Sequence, residues 1–403
     1  MISEQKNKLR ILYVIPTLGG GGAEIMLGAI VEQLSKIGHE VMIVITQPMH
    51  YTYLNFPNKA FIDQNIRVIE CYTRIIFSFR KKTVISDNRF EQIVNEFQPD
   101  VIHSHLFESE ILSRSYFKKG VAYFSHGHDN MWQLTKFRNI KKINRQALTN
   151  LIERSWLMKQ YQKTNTAFIA ISKDVESFFN QNLNKRLTNN VFLLQNGIDI
   201  KRFRNDLDRK IELEEKIRIV SVGNLVPKKN HRFLIDIAVA LKEQNRDFSI
   251  DILGYGILQE ELENYARVKD VFEYIHFRGN VKNVEDYLKK ANFYVHPANY
   301  EPLGLVLIEA MASGLPVICL DGKGNRDLMI HGKNGYIFQE ENAEMFAEQI
   351  IELMNDSEKY KEISSFAKEF SQQFDIENYC EKLVQIYQNS ISELSESNRV
   401  NGQ

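Results

Sequence analysis

Short β-branched runs alternate with stretches of helical length along almost the whole of this chain, and that alternation leaves few folds open. Strands joined through helices cannot pair as hairpins; they pair in parallel, with helices on both faces of the sheet. The sequence predicts strands at 10–15, 40–45, 66–69, 101–103, 122–125, 167–171 and 191–194. A second series follows at 218–222, 249–253, 275–277, 293–296 and 317–320. Between them, 24–37, 231–244, 284–290 and 305–312 carry the apolar spacing of helices. This is material for two doubly wound sheets, and 403 residues suits two or three domains. No period of 20–50 residues recurs, which excludes solenoids and propellers.

The join is expected in the polar run 199–215, read as a linker, with a first domain over 1–200 and a second over 201–375. Charge divides there: residues 1–200 hold 25 Lys/Arg and 17 Asp/Glu, a balance of +8, which leaves the remainder at −8 and the whole chain at zero. A neutral total argues against a protein that coats nucleic acid. Basic residues cluster at 74–82 and 136–145 beside aromatic and aliphatic neighbours. They are read either as solvated faces or as a surface resting on anionic lipid headgroups. Cys71, Cys319 and Cys380 are too few and too scattered for a disulfide framework, as expected in a reducing compartment. The most apolar stretch, 303–320, contains Glu309, Pro316 and two glycines, so no transmembrane helix is expected. The location that follows is cytoplasmic, with a peripheral membrane contact on the cytoplasmic face, and the tail after Gln388 is expected to fray.

Two regions carry chemistry. At the front, four glycines (Gly19 to Gly22) lie between a strand and a helix, where backbone amides approach an anion closely. The spacing is neither G-x-G-x-x-G nor a P-loop, because Glu24 occupies the third glycine's place and no Lys follows. In the second half, a strand runs into Gly223 and Asn224, then Lys228, Lys229 and a helix start at His231. That places cations beside backbone donors at the strand edge where open α/β sheets bind ligands, a setting for a diphosphate. Gly254 and Gly256 end the next strand. Further on, a strand ends at His296, a loop carries Glu301, Leu303 and Gly304, and a helix begins near Leu305 with Glu309 on its first turns. Eight positions separate the two carboxylates, about 12 Å if fully helical. That span suits two ends of an extended ligand better than the closer carboxyl pair of a glycosidase.

At these residues the chain resembles the retaining GT-B glycosyltransferases of family 4, the group 1 glycosyl transferases. The likeness runs over about residues 9 to 390 and is carried by Gly21 to Glu24, Phe124 to Gly127, Asn196-Gly197-Ile198-Asp199, Gly223 to His231 and Gly254-x-Gly256. Its most specific part is the E-x7-E element from Glu301 to Glu309, followed by Ala310-Met311-Ala312-x-Gly314-x-Pro316-Val317. The resemblance implies an α/β fold of two doubly wound Rossmann-like domains facing across a cleft. A C-terminal helix, about 376–395, would cross back to the first domain. It implies a nucleotide-sugar co-substrate, with no further cofactor and no metal, and a glycan or lipid-linked acceptor in cell-envelope polysaccharide or glycoconjugate synthesis. By the same likeness Lys229 holds the donor diphosphate, Glu309 the ribose hydroxyls, and Glu301 with the backbone of Leu303, Gly304 and Leu305 the transferred sugar. Gly21, Gly22, Gly223, Asn224, Gly254 and Gly256 complete the donor set. His126 fills the family's histidine position, with His128 as its rival.

Two departures stand out: Asn224 replaces the family's usual Arg, and Asp327 its frequent Glu. Without a bidentate, permanently charged group at 224, the phosphate rests more on Lys229, helped by Lys228. Asn224 motivates a catalytically silent nucleotide-sugar-binding subunit as one rival reading, and a sugar-nucleotide epimerase is another. A third rival rests on His103/His105 and His126/His128, two H-x-H pairs whose imidazoles could hold a metal, as in metal hydrolases. Asp206-Leu207-Asp208 has the form of a metal-binding D-x-D but sits in the charged run, away from any strand end.

Overall fold

A computed structural model describes residues 8–47, 66–71, 77–78, 81–82, 88–136, 145–205 and 216–400. The chain divides into two compact units, unit 1 of residues 1–196 and 376–403 and unit 2 of residues 197–375.

Unit 1 is built on seven parallel strands: β1 (Arg10–Ile15), β2 (Glu40–Ile45), β3 (Arg67–Glu70), β4 (Val101–His105), β5 (Ala122–Gly127), β6 (Ala167–Ala170) and β7 (Val191–Leu193). Their order is β3-β2-β1-β4-β5-β6-β7. The order reverses between β1 and β4, so the chain leaves both strands at one end of the sheet and opens a crevice there. Helices α1 (Gly22–Lys36), α2 (Arg89–Phe97), α3 (Phe107–Ser113), α4 (Arg145–Lys163), α5 (Lys173–Asn182) and α6 (Lys185–Thr188) connect the strands. The central strands are buried along nearly their full length, which is why they read as continuous apolar runs.

Beneath β4 and β5 lies an ion pair with both side chains fully buried, Arg114 to Glu110 at 3.2 Å. Glu110 accepts from Ser104 (2.7 Å), Ser125 (2.9 Å) and Tyr161 (3.0 Å), while Arg114 donates to Ser104 and Ser113 and to the Phe124 carbonyl. Period two then sends His103, His105 and His126 to the opposite face of the same strands.

Unit 2 begins with helix α7 (Ile200–Phe203) and has six parallel strands: β8 (Ile217–Val222), β9 (Phe248–Leu253), β10 (Ile275–Gly279), β11 (Phe293–His296), β12 (Val317–Leu320) and β13 (Gly335–Phe338). The order β10-β9-β8-β11-β12-β13 again reverses beside the first strand, between β8 and β11. Helices α8 (His231–Glu243), α9 (Gln259–Val268), α10 (Val284–Lys290), α11 (Leu305–Ala312), α12 (Ala343–Asn355) and α13 (Ser357–Ser371) cover the sheet. The core joins Ile219, Ile250 and Phe293 of the strands to Leu234, Ile237 and Leu241 of α8. Phe233 and Phe346 meet edge to face at 5.1 Å, locking α8 to α12. The chain enters and leaves unit 2 side by side: the Ile198 amide donates to the Phe374 carbonyl at 2.8 Å, and Ile198 forms a parallel bridge with Asp375.

The last helix, α14 (Ile376–Val400), belongs to unit 1 and packs on α1. Its Cys380, Leu383 and Tyr387 are fully buried. The Tyr387 hydroxyl lies 3.0 Å from that of Tyr13 on β1 and 2.5 Å from His103 Nδ1 on β4.

Several expectations need correction. β13 was not expected; it is a short edge strand after the Asn334-Gly335 turn, half-buried, with too brief an apolar run to stand out. The run 199–215 is not linker throughout. It opens with α7, whose Phe203 carbonyl accepts from Ser313 (2.9 Å) and whose Arg202 pairs with Glu285 (2.8 Å). The C-terminal tail is helical to Val400. The D-x-D at 206–208 lies outside the described residues. So do the two basic stretches, apart from Lys136, Arg145 and the backbone of a two-residue pair of Phe77–Ser78 with Lys81–Lys82. Among the described residues no helix is long and apolar enough to cross a membrane, and all three cysteines are buried.

Candidate functional site

In unit 2 the site grows from the reversal point of the sheet. β8 runs into Gly223, and a 3₁₀ turn, Pro227–Lys229, leads through Asn230 (φ 51°) into α8. A Cβ placed on Gly223 would sit 3.4 Å from Lys229 Cδ, so the lysine stem lies across the glycine. Gly254 and Gly256 pack their backbones onto the carbonyls of Gly223 and Leu225, where any Cβ would collide. These two glycines shape the loop from beneath. Asn224 and Lys228 are exposed.

The Lys229 ammonium pairs with Glu301 Oε2. Glu301 comes from the loop after β11, held there by its amide to the Gly322 carbonyl (2.8 Å) and by the Gly324 amide to its own carbonyl (3.0 Å). The same Oε2 lies 3.0 Å from His296 Nε2, and His296 Nδ1 lies 3.1 Å from the Tyr294 hydroxyl. Burial alone would raise the Glu301 carboxyl; the His296 hydrogen bond and the Lys229 charge outweigh it and bring it down to about 2. An ionised carboxylate only accepts, so His296 donates from Nε2, and the Tyr294 hydroxyl lies between His296 Nδ1 and the Val222 carbonyl. Buried His231, at the start of α8, is close enough to feel both His296 and Lys229. His296, Tyr294 and His231 were not singled out from the sequence. The available signal was the two-residue spacing of Tyr294 and His296, which puts both on one face of β11.

Gly304 (φ +98°) caps α11, with Leu303 buried before it and half-buried Leu305 as the first helical residue. The first-turn amides of such a helix have no acceptor four residues back, and here they follow directly on the Glu301 loop. Only Leu305 to Glu309 of the E-x7-E element is helical, so the 12 Å span expected for a fully helical segment does not apply. Glu309 is half-buried, and burial pushes its carboxyl up to about 7 against the pull of Arg202, with Glu285 adding to the rise. Burial raises the Tyr294 phenol, and the charges of Glu301 and Glu309 add to the rise. Lys229, Gly223, Glu301 and Gly304 gather at the carboxyl ends of β8 and β11, and Glu309 follows about one turn along α11.

In unit 1 the glycine loop and the histidines occupy the corresponding strand ends. Glu24 folds back over the loop: Thr17 Oγ1 donates to its Oε1 (3.0 Å), and its carboxylate occupies the space where Gly21 would carry a Cβ. Gly22 has open space around its α-carbon. The loop expected to cradle an anion therefore already holds a carboxylate. His126 is fully buried on β5, and neither ring nitrogen makes a hydrogen bond of ordinary geometry, although Asn196 lies close enough to favour its charged form. His128 stacks on it at 4.2 Å and bonds through Nε2 to His105 Nδ1 (2.7 Å). Burial brings His126 down to about 3 and lowers His103, His105 and His128 as well, so all four rings are neutral.

Comparison with known proteins identifies the family. Residues 20–202 match the family described as Glycosyltransferase Family 4, and residues 203–370 that described as Glycosyl transferases group 1. An uncharacterized glycosyltransferase of Methanocaldococcus jannaschii is 29% identical over 60% of this chain and 64% of its own length. The N-acetylgalactosamine-N,N'-diacetylbacillosaminyl-diphospho-undecaprenol 4-alpha-N-acetylgalactosaminyltransferase of Campylobacter jejuni is 29% identical over 45% of this chain and 49% of its own. Both matches span less than two thirds of the relative's length. The crystal structure of Anabaena HepE in complex with UDP and glucose superposes with a TM-score of 0.70 at 18% identity, over 96% of this chain and 99% of that one, a likeness of fold. With two doubly wound sheets of the GT-B type and profile matches running from residue 20 to residue 370, the chain belongs to the family 4, group 1 glycosyltransferases.

Proposed function

We propose that this chain moves a sugar from a nucleotide-sugar to a hydroxyl of a glycan or lipid-linked acceptor, with retention at the sugar carbon and without a metal. The observation that carries the reading is the arrangement around Gly223, where Lys229, the His296-held Glu301 and the start of α11 converge on one strand edge. A diphosphate laid across Gly223 shares the Lys229 ammonium with Glu301 and takes amide hydrogens from the first turn of α11. The same groups stabilise the charge that collects on the leaving phosphate as the glycosidic bond breaks. Glu301, kept ionised, accepts from hydroxyls of the transferred sugar, and Glu309 accepts from the two ribose hydroxyls. The acceptor hydroxyl attacks from the face the phosphate leaves, and the departing phosphate oxygen takes its proton. His126, a neutral imidazole, is assigned to hydrogen-bond the sugar.

The acceptor class draws support from the Campylobacter relative, whose name specifies an undecaprenol-linked diphosphate. The excess of basic residues in 1–200 fits a peripheral contact with an anionic membrane. Binding to anionic vesicles that is indifferent to salt and lipid charge would remove that contact.

One thermal-shift panel of UDP-, GDP-, ADP- and dTDP-sugars, followed by turnover with and without acceptors, tests the whole reading. A matching donor at 100 times its dissociation constant stabilises by about 2.7 kcal/mol, and Glu309→Ala loses the shift. Exposed Asn224 keeps a second reading in play, a binding subunit without activity, which gives the shift but neither hydrolysis nor transfer. Donor turnover with no acceptor present would point to an epimerase.

A further inference from the structure

Sugar transfer as proposed accounts for only one of the four histidines at the strand ends of unit 1. The two H-x-H pairs, 23 residues apart, form a single cluster because β4 and β5 are neighbours in register, His105 beside His126. Ring centroids are 4.7 Å apart for His103–His105 and for His105–His126, and 5.2 Å for His103–His126. All three side chains are fully buried, and one ring nitrogen of each lies within 4.8 Å of the other two.

The partners of the remaining nitrogens are more telling than the clustering. His103 Nδ1 is bonded to the Tyr387 hydroxyl (2.5 Å) and His105 Nδ1 to His128 Nε2 (2.7 Å). The nitrogens left without a hydrogen bond are His103 Nε2, His105 Nε2 and both nitrogens of His126. Buried polar atoms without partners are rare and costly. Here they sit on three clustered rings, two of which have their other nitrogen held by a hydrogen bond, while the third, His126, has Asn196 close by. That is the pattern of metal-binding histidine, where one nitrogen ligates and the other is fixed by an outer hydrogen bond. Proton placement closes without strain: His103 Nδ1–H donates to Tyr387, whose O–H donates to Tyr13, and His105 Nδ1–H donates to His128. Both Nε2 lone pairs are then left without a donor.

We propose that His103, His105 and His126 form a site for one transition-metal ion of the zinc class, with Tyr387 and His128 as the outer residues that orient the first two. The donor set, three neutral imidazoles and no carboxylate, selects Zn²⁺ and its neighbours over Mg²⁺ or Ca²⁺. Nitrogens around tetrahedral zinc stand about 3.4 Å apart, so the rings draw together by about 1 Å on binding. The site takes up the metal-binding half of the H-x-H reading and none of its hydrolase chemistry. A bound ion consumes the lone pair that His126 would offer a sugar, and in this respect the inference rests on the proposed function: Zn²⁺ inhibits transfer.

Cobalt(II) is the probe, titrated into metal-stripped full-length protein and followed by its visible ligand-field bands. The expected result is a tetrahedral spectrum saturating at one equivalent, displaced by Zn²⁺ and lost in His105→Ala and His126→Ala. It is kept in His331→Ala, which removes an exposed histidine of unit 2. Tyr387→Phe leaves all three ligands in place and weakens the metal by about 10–100-fold; this variant decides the matter if an alanine variant does not fold. Absence of a spectrum in the unmodified protein overturns the site, as does a spectrum unchanged by His126→Ala and Tyr387→Phe. The nucleotide panel reads unit 2 and the cobalt titration reads unit 1, so either proposal can fail without the other.

Discussion

Glu309 gives the donor site a pH signature. Its carboxyl is held up near 7 by burial, and a group that must accept two ribose hydrogen bonds binds best when ionised. Nucleotide affinity should therefore fall as pH drops below 7, by up to about tenfold per unit. Glu309→Gln should bind more weakly and show no such slope; calorimetric titration between pH 5.5 and 8.5 checks both. Glu301 behaves in the opposite sense. Its carboxyl is lowered from 4.5 to about 2, so the stability it contributes is complete above pH 4.5 and is lost as pH falls toward 2. Asn224 lies exposed in the loop that leads to Lys229, whose charge is already shared with Glu301. Asn224→Arg supplies a second cation, and UDP or GDP should bind about tenfold more tightly at low salt, the gain shrinking as salt is added.

Elements were legible where their chemistry is local. The four strands 10–15, 40–45, 293–296 and 317–320 and the helices 284–290 and 305–312 stand where their apolar runs place them, because both faces of a parallel strand are buried. β13 escaped notice because an edge strand needs no such run, and α1 starts two residues early because Gly22 carries no helical signal of its own. Within the site, the E-x7-E spacing and Lys229 could be read directly. The bond from His296 to Glu301 could not, since it depends on how a loop folds back beneath its own strand. The Arg114–Glu110 pair was equally hidden, and its burial under β4 and β5 carries a clear expectation. Arg114→Ala strands a carboxylate in the core and should cost about 3–5 kcal/mol, measured by urea unfolding. Replacing both residues with apolar side chains of similar volume should cost far less.

For the whole molecule, the asymmetry of the two units is a matter of chain order. Every strand and helix of unit 2 comes from one continuous segment, 197–375, whose two ends are hydrogen-bonded together. That segment expressed alone should fold and retain the nucleotide-induced thermal shift. A fragment ending at Asn196 lacks α14, exposing the faces that Cys380, Leu383 and Tyr387 cover. It should melt without cooperativity, and adding a peptide of residues 376–400 should restore a transition.

The position of α14 also sets a timetable for synthesis. On the ribosome the seven-stranded sheet of unit 1 emerges before unit 2, yet the segment that seals it follows only after 179 intervening residues of unit 2. The later-made unit is thus free to finish folding while the earlier one waits with the partners of Tyr387 uncovered. A premature stop codon in α14 ahead of Cys380 would spare the rear half and leave the front half as the substrate for chaperones and proteases.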